Sequence, residues 1–351
     1  MIQRVKAIAV VSVLCLLVSC NGCNQNKSRE KPDVSNINAS VELLRFDRDL
    51  KNFDALHFTD WRNKMQERYG EFYKFYVNNF IIGPRPAGDT ADIELQAIQQ
   101  FLSDKYIRTI QDSIDARYTD TKDVEKDLQQ MFRYFKFYLP AVEVPQVVTI
   151  NSAYGAGVSP FGNNQLIVGL DMFLGEDNKD YDSIGVYAYL RHKMKREYIA
   201  RYTAEAMYDG YFPAVGLNSN ATLLESIIER GKKLYFISYV FPDAPDSLIL
   251  GYTEPQTNWC AGSEYAIWQF FNDKDLLYKN NSMDKTRYLG EGPTTNGMPP
   301  EAPGAIGNYL GLQIVRKFMK ETGGKIEMKD LIARYDSKTI MEKAKYRPSK
   351  L

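Results

Sequence analysis

The apolar positions between residues 222 and 271 set the frame for the whole chain. Leu223, Leu224, Ile227, Ile228 and Leu234 fall on one side of a helix, so the segment predicts a helix with a buried face. Gly231 sits inside that pattern, where it either weakens the helix or admits another backbone. Pro242 and Pro245 impose a loop. A second helix then begins near Ser263, its expected N-cap, and carries Ala266, Ile267, Phe270 and Phe271.

The same periodicity recurs elsewhere. Residues 59 to 82 predict one helix or two, with a break at Tyr69-Gly70 and an aromatic stripe of Phe72, Phe75, Tyr76 and Phe80 expected in the core. A loop follows at 83 to 90, then helices over 91 to 103 and 104 to 118. Val124, Leu128, Met131, Phe132 and Phe135 mark a stronger helix from 121 to 138, stopped by Pro140. Residues 144 to 150 and 164 to 170 have the β-branched content of strands, joined through a glycine-rich stretch that predicts a hairpin or paired-strand connection. VELLRF near residue 41 fits a strand or a helix entry. Residues 280 to 304 read as a long irregular passage. In the next helix, 304 to 321, Ile306, Leu310, Ile314 and Phe318 step by four, while Gly307 and Gly311 on a neighbouring face predict close helix packing. A last amphipathic helix is expected over 329 to 343. The result is one α+β domain over 41–351, predominantly helical with a small β-sheet.

Composition changes this picture little. The 351 residues are 44% hydrophobic, enough for a sizeable core. Lysine plus arginine and aspartate plus glutamate balance at 44 each, so no basic field points to nucleic acid. The start of the chain says more. Arg4 and Lys6 precede an apolar run from Ala7 to Val18, as in a secretory signal over residues 1–19. Leu17-Val18-Ser19-Cys20 resembles the lipobox of bacterial lipoproteins, which implies acylation of Cys20 and a lipid bilayer as partner. Residues 20–40 are polar and read as a flexible linker. No acidic cluster follows Cys20, which favours the periplasmic face of the outer membrane. Beyond it stand only Cys23 and Cys260, too few and too far apart for a metal site and unsuited to a structural disulfide.

Reaction chemistry is sparse. The chain has two histidines, His57 and His192, and neither lies in an H-E-x-x-H pattern. His192 sits in RHKMKRE, a positive run expected on a solvated helix face. There is no Gly-x-Ser-x-Gly elbow, and the glycine-rich stretch lacks the Lys-Ser/Thr of a phosphate loop. Glu225 and Glu229 stand four apart, which reads as a solvent face beside Lys232 and Lys233. No catalytic residue, cofactor or metal ligand is assigned.

Several runs carry a resemblance. LLRFDRDL, QLIVGLDMFLG, LLESIIERGKKLYF, GYTEPQTNWC with EYAIW, and GNYLGLQIVRKFM, taken in order, resemble the gliding motility lipoprotein GldB family over residues 41 to 320. The resemblance implies a bacterial envelope lipoprotein required for gliding, with no established catalytic activity. Its expected partners are proteins of a gliding or secretion assembly. The order strand, helix, helix is also similar to zincin-type metallopeptidases, in which two histidines on one helix and a later carboxylate hold zinc. Here Ala204 and Tyr208 flank Glu205 where histidines would stand, and Arg230 falls near the later carboxylate. The fold implied is zincin-like but lacking metal ligands, with Glu205, Tyr208, Glu229 and Arg230 as a candidate partner groove and Glu205 pairing with Arg230. An envelope hydrolase for peptides or glycans, and a small-ligand carrier with aromatic walls, are the alternatives.

Overall fold

The computed structural model describes residues 31–83, 91–213 and 220–350. Cys20 and the signal lie outside the described residues. Four short strands form one mixed sheet: β1 (Leu43–Arg45), β2 (Gln146–Ile150), β3 (Val158–Phe161) and β4 (Gln165–Gly169), in the order β1-β2-β4-β3. β1, β2 and β4 run parallel, and β3 pairs antiparallel with β4. The β2–β4 link is therefore a paired-strand connection, and the hairpin lies between β3 and β4. β3 escapes the sequence pattern because Ser159 and Pro160 are exposed on it and leave no apolar alternation. A proline fits there because β3 is an edge strand.

Strand side chains alternate between faces, and both faces are covered. Leu43, Val147, Leu166 and Val168 join the larger core, whereas Leu44, Val148, Ile150 and Ile167 join a smaller one. The smaller core belongs to α1 (Phe46–Lys51), α2 (Phe58–Tyr69), α3 (Glu71–Tyr76) with the π-helical turn Val77–Ile82 that continues it, and α4 (Ala91–Ser103). It is built on rings. Phe46 meets Tyr69, Phe72 and Tyr76 edge-on at centroid distances of 4.9, 5.3 and 4.9 Å. The expected break between α2 and α3 falls at Gly70, whose positive φ of 56° suits glycine. The aromatic stripe is only half core: Phe72 and Tyr76 are buried, but Phe75 and Phe80 are about 40% exposed.

The remaining helices are α5 (Lys105–Arg117), α6 (Lys122–Tyr138), α7 (Asp180–Ser183), α8 (Ala188–Arg191), α9 (Glu197–Tyr211) and α10 (Leu223–Val240). They are followed by α11 (Asp246–Leu250), α12 (Glu254–Gly262), α13 (Glu264–Asp273), α14 (Ser282–Leu289), α15 (Ile306–Glu321), α16 (Met328–Arg334) and α17 (Ser337–Ala344). α14 occupies the front of the passage expected to be irregular, and the single last helix is two. Residues 254–273 also form two helices, and Ser263 between them makes no side-chain cap. The packed unit reaches back to Val34, and Val34 and Ala39 are buried in the larger core. The linker therefore gives way to the domain earlier than residue 40.

α10 is the axis of the larger core and is buried on nearly every side. A capping box starts it: Thr222 Oγ1 accepts from the Glu225 N–H, and Glu225 accepts from the Thr222 N–H. On the side facing α15, Gly231 meets Gly311. A Cβ placed on Gly231 would lie 2.9 Å from the Gly311 Cα, and one on Gly311 would lie 3.0 Å from the Gly231 nitrogen. Glycine at both positions lets the two backbones touch, as the spacing of Gly307 and Gly311 predicts.

Candidate functional site

The sequence-predicted residues come together where α9 lies against α10. Ala204 is fully buried, and Glu205 one position on turns into a cluster of basic side chains. Arg201, one helical turn earlier, pairs with Glu205; Lys233 Nζ lies 2.8 Å and Arg230 3.8 Å from Glu205 Oε1. The Glu205–Arg230 contact is thus present but is the loosest of the three. Lys233 also reaches Asp209 at 3.1 Å, and Arg201 donates to the Ile249 carbonyl at 3.1 Å. Burial alone would raise the Glu205 carboxyl, but Arg201, Lys233 and Arg230 outweigh it and hold the group down to about 2.

Tyr208 is buried, with its ring against Phe212 and Phe236, and burial beside Glu229 and Asp209 pushes its phenol well above the usual range. It presents no face for a partner. Glu229 is tied to Lys232 at 2.7 Å. Lys232 and Lys233 are themselves buried and Glu229 is half-buried, so of the solvent face expected there only Glu225 is exposed. Charged residues look like surface in a sequence, yet here each lysine is buried against a carboxylate. The RHKMKRE run is corrected likewise. His192 is half-buried with Nε2 3.1 Å from the Gly251 carbonyl oxygen, burial lowers its pKa, and Lys193 is buried and paired with Glu291 at 2.6 Å.

Zinc does not suit this place. Ala204 offers no donor atom, Tyr208 is held as a neutral phenol, and Arg230 brings a positive charge. The lone carboxylate already faces three cations. Among the described residues no group of three or more histidine, cysteine, aspartate or glutamate side chains could hold a metal.

A second polar cluster lies at the carboxyl ends of the parallel strands. Each of the three parallel strands is followed within two residues by a buried polar residue: β1 by Asp47, β2 by Asn151 and Ser152, and β4 by Asp171. Asp47 accepts from Arg45 Nε at 2.9 Å, Arg45 Nη2 at 2.6 Å, Thr149 Oγ1 at 2.6 Å and Gln111 Nε2 at 3.2 Å. Asp171 accepts from the Ser152 N–H at 2.9 Å, the Ser152 hydroxyl at 2.7 Å and the Tyr154 N–H. Burial nevertheless pushes the Asp171 carboxyl up. The turn it ties down holds Ala153 and Tyr154 at φ of 50° and 61°, left-handed conformations that side chains rarely adopt. The only sequence signal was a polar residue at each strand end, and that means nothing until the strands are known to be parallel neighbours.

Two cavities flank α5. One, of about 530 Å³, is open and polar, with Arg117, Glu176, Asp177, Asn178, Lys195 and Glu197 around it. The other, of about 250 Å³, lies at the carboxyl ends of β1 and β2, over Asp47, Gln111 and Asn151. Neither includes Glu205, Tyr208, Glu229 or Arg230.

No helix among the described residues is long and apolar enough to cross a membrane. Neither a curated protein nor a solved structure matches the chain. The pattern described as gliding motility protein GldB matches residues 27–348, nearly the whole chain. The chain belongs to the GldB family of gliding-related envelope proteins.

Proposed function

We propose that the protein is a non-catalytic lipoprotein of the outer membrane that supports gliding, or an associated secretion assembly, by binding protein partners from the periplasmic side. Acylated Cys20 holds it to the bilayer, and the folded domain beginning near Val34 carries the binding surface. The observation that carries the non-catalytic part is Glu205. A general base works best with a pKa near the operating pH, and a carboxylate held at about 2 by three cations is a very weak one. The same cations engage both carboxylate oxygens, which a general base would have to turn toward a water. Glu205 instead joins α9 to α10.

Crosslinking in intact cells, followed by recovery of the protein, is expected to return envelope proteins. Glu205→Gln is expected to weaken stability or partner capture without removing any hydrolytic activity. Stoichiometric zinc in the purified protein, with peptide cleavage lost on chelation, would overturn the reading. Cys20→Ala is expected to abolish fatty-acid labelling and release the chain from membranes. Continued labelling would disprove the anchor, and rapid digestion by protease added to intact cells would place the domain outside.

A further inference from the structure

We propose that the 250 Å³ cavity at the carboxyl ends of β1 and β2 binds a small carboxylic acid with an apolar body and a hydroxyl or N–H donor at its far end. The proposal is independent of the non-catalytic reading. Location is the first argument. In open parallel sheets, ligands bind beyond the carboxyl ends of the strands, and this cavity opens there between α1, the end of α4 and the start of α5.

The second argument is the gradient from floor to rim. Asp47, Leu50, Gln111 and Asn151 are buried and form the floor. Phe101, Leu102 and Ile107 are half-buried walls, and Lys51, Arg108 and Asp112 are the exposed rim. Apolar walls with a few convergent polar groups suit a small organic molecule better than an ion.

The third argument is hydrogen-bond accounting on the floor. Both N–H groups of Asn151 point at acceptors, the Ile107 carbonyl at 3.2 Å and Gln111 Oε1 at 3.4 Å. Gln111 likewise spends its amide on Asp47 at 3.2 Å and Asp115 at 3.4 Å. Asp47 already accepts four hydrogen bonds. Among the described residues Asn151 Oδ1 accepts only from the Ala153 N–H and Gln111 Oε1 only from Asn151, so each carbonyl oxygen keeps a lone pair. The floor can take a donor and offers none. At the rim the balance reverses. Lys51 is engaged by Asp115 at 2.7 Å and Asp112 at 3.6 Å, whereas the Arg108 guanidinium makes no ion pair among the described residues. An acid reaching out to Arg108 gains a charge-assisted contact there.

A suitable probe is 3-(4-hydroxyphenyl)propionate, which has a ring for the walls, a phenol for the floor and a carboxylate for the rim. Titration calorimetry on the purified full chain in detergent is expected to show saturable one-to-one binding. 3-Phenylpropionate, without the hydroxyl, and 4-ethylphenol, without the carboxylate, should each bind about tenfold or more weakly. Arg108→Glu, at an exposed position, should weaken the acid about tenfold or more and leave 4-ethylphenol unaffected. Leu102→Trp should fill the cavity and abolish binding of all three. Absence of saturable binding at millimolar probe, or binding of the acid unchanged in Arg108→Glu, would overturn the proposal whether or not Leu102→Trp folds.

Discussion

α10 makes two contacts of opposite character, and the difference shows how one helix can be fixed in two ways. Toward α15 the contact is defined by missing atoms: Gly231 and Gly311 carry no side chain, so backbone lies on backbone. Toward α9 it is defined by long charged side chains, with Lys233 shared between Glu205 and Asp209, and Glu205 shared among Arg201, Lys233 and Arg230. The glycine contact has nothing that can rotate away. The charged contact has redundancy, since most members keep a partner when one is lost.

The largest effect should come from breaking the glycine side. Gly311→Ala is expected to cost roughly 3 kcal/mol or more, because the new methyl meets the Ile227 carbonyl and the Gly231 nitrogen rather than a movable side chain. An alanine that merely improves helix propensity would suit an exposed glycine, and this one is buried. Urea denaturation measures it; an unchanged midpoint would mean that the helices part freely. Gly231→Ala should cost as much, and the double variant less than the sum, since both act on one crossing.

Next is the charged side. Glu205→Gln is expected to lose on the order of 3 kcal/mol near neutral pH, the free energy implied by a carboxyl held at about 2 against the 4.5 of a free glutamate. The folded pKa is depressed, so this stability is complete above about 4.5 and lost as pH falls toward 2. The gap between wild type and variant should therefore close over that interval. Denaturation at stepped pH tests this, and a constant gap would assign the loss to packing instead. Thr222→Ala, which removes the cap of α10 without touching either contact, should cost about 1 kcal/mol in the same assay. Arg230→Ala should be smallest, within about 0.5 kcal/mol, because its side chain is 41% exposed and 3.8 Å from Glu205. A larger loss would mean that the charge cluster is less redundant than its geometry implies.

Much of this was open to sequence reading. The helices around α10 and α15, the break at Gly70 and the close approach at Gly311 follow from apolar period and glycine position, which are local properties of the chain. Glu205 and Tyr208 lie on α9 and Glu229 and Arg230 on α10, and the fold sets these two helices side by side. The states of these side chains were not legible. Tyr208 is buried against Phe236, and Lys232 and Lys233 are buried although lysine normally marks surface. That depends on carboxylates arriving from other turns and other helices to neutralise them.

The amino-acid sequence by itself determined most of the helices, the two main strands and the scarcity of histidine and cysteine, because each depends on residue type and short-range spacing. Only the tertiary structure decided that β1, β2 and β4 lie side by side and point the same way. That arrangement brings Asp47, Asn151 and Asp171 to the carboxyl end of the sheet from sites far apart in the chain. It also separates an aromatic core around Phe46 from the larger core around α10. Strand order is set by which apolar faces can be buried together, a property of the whole chain that no local window contains.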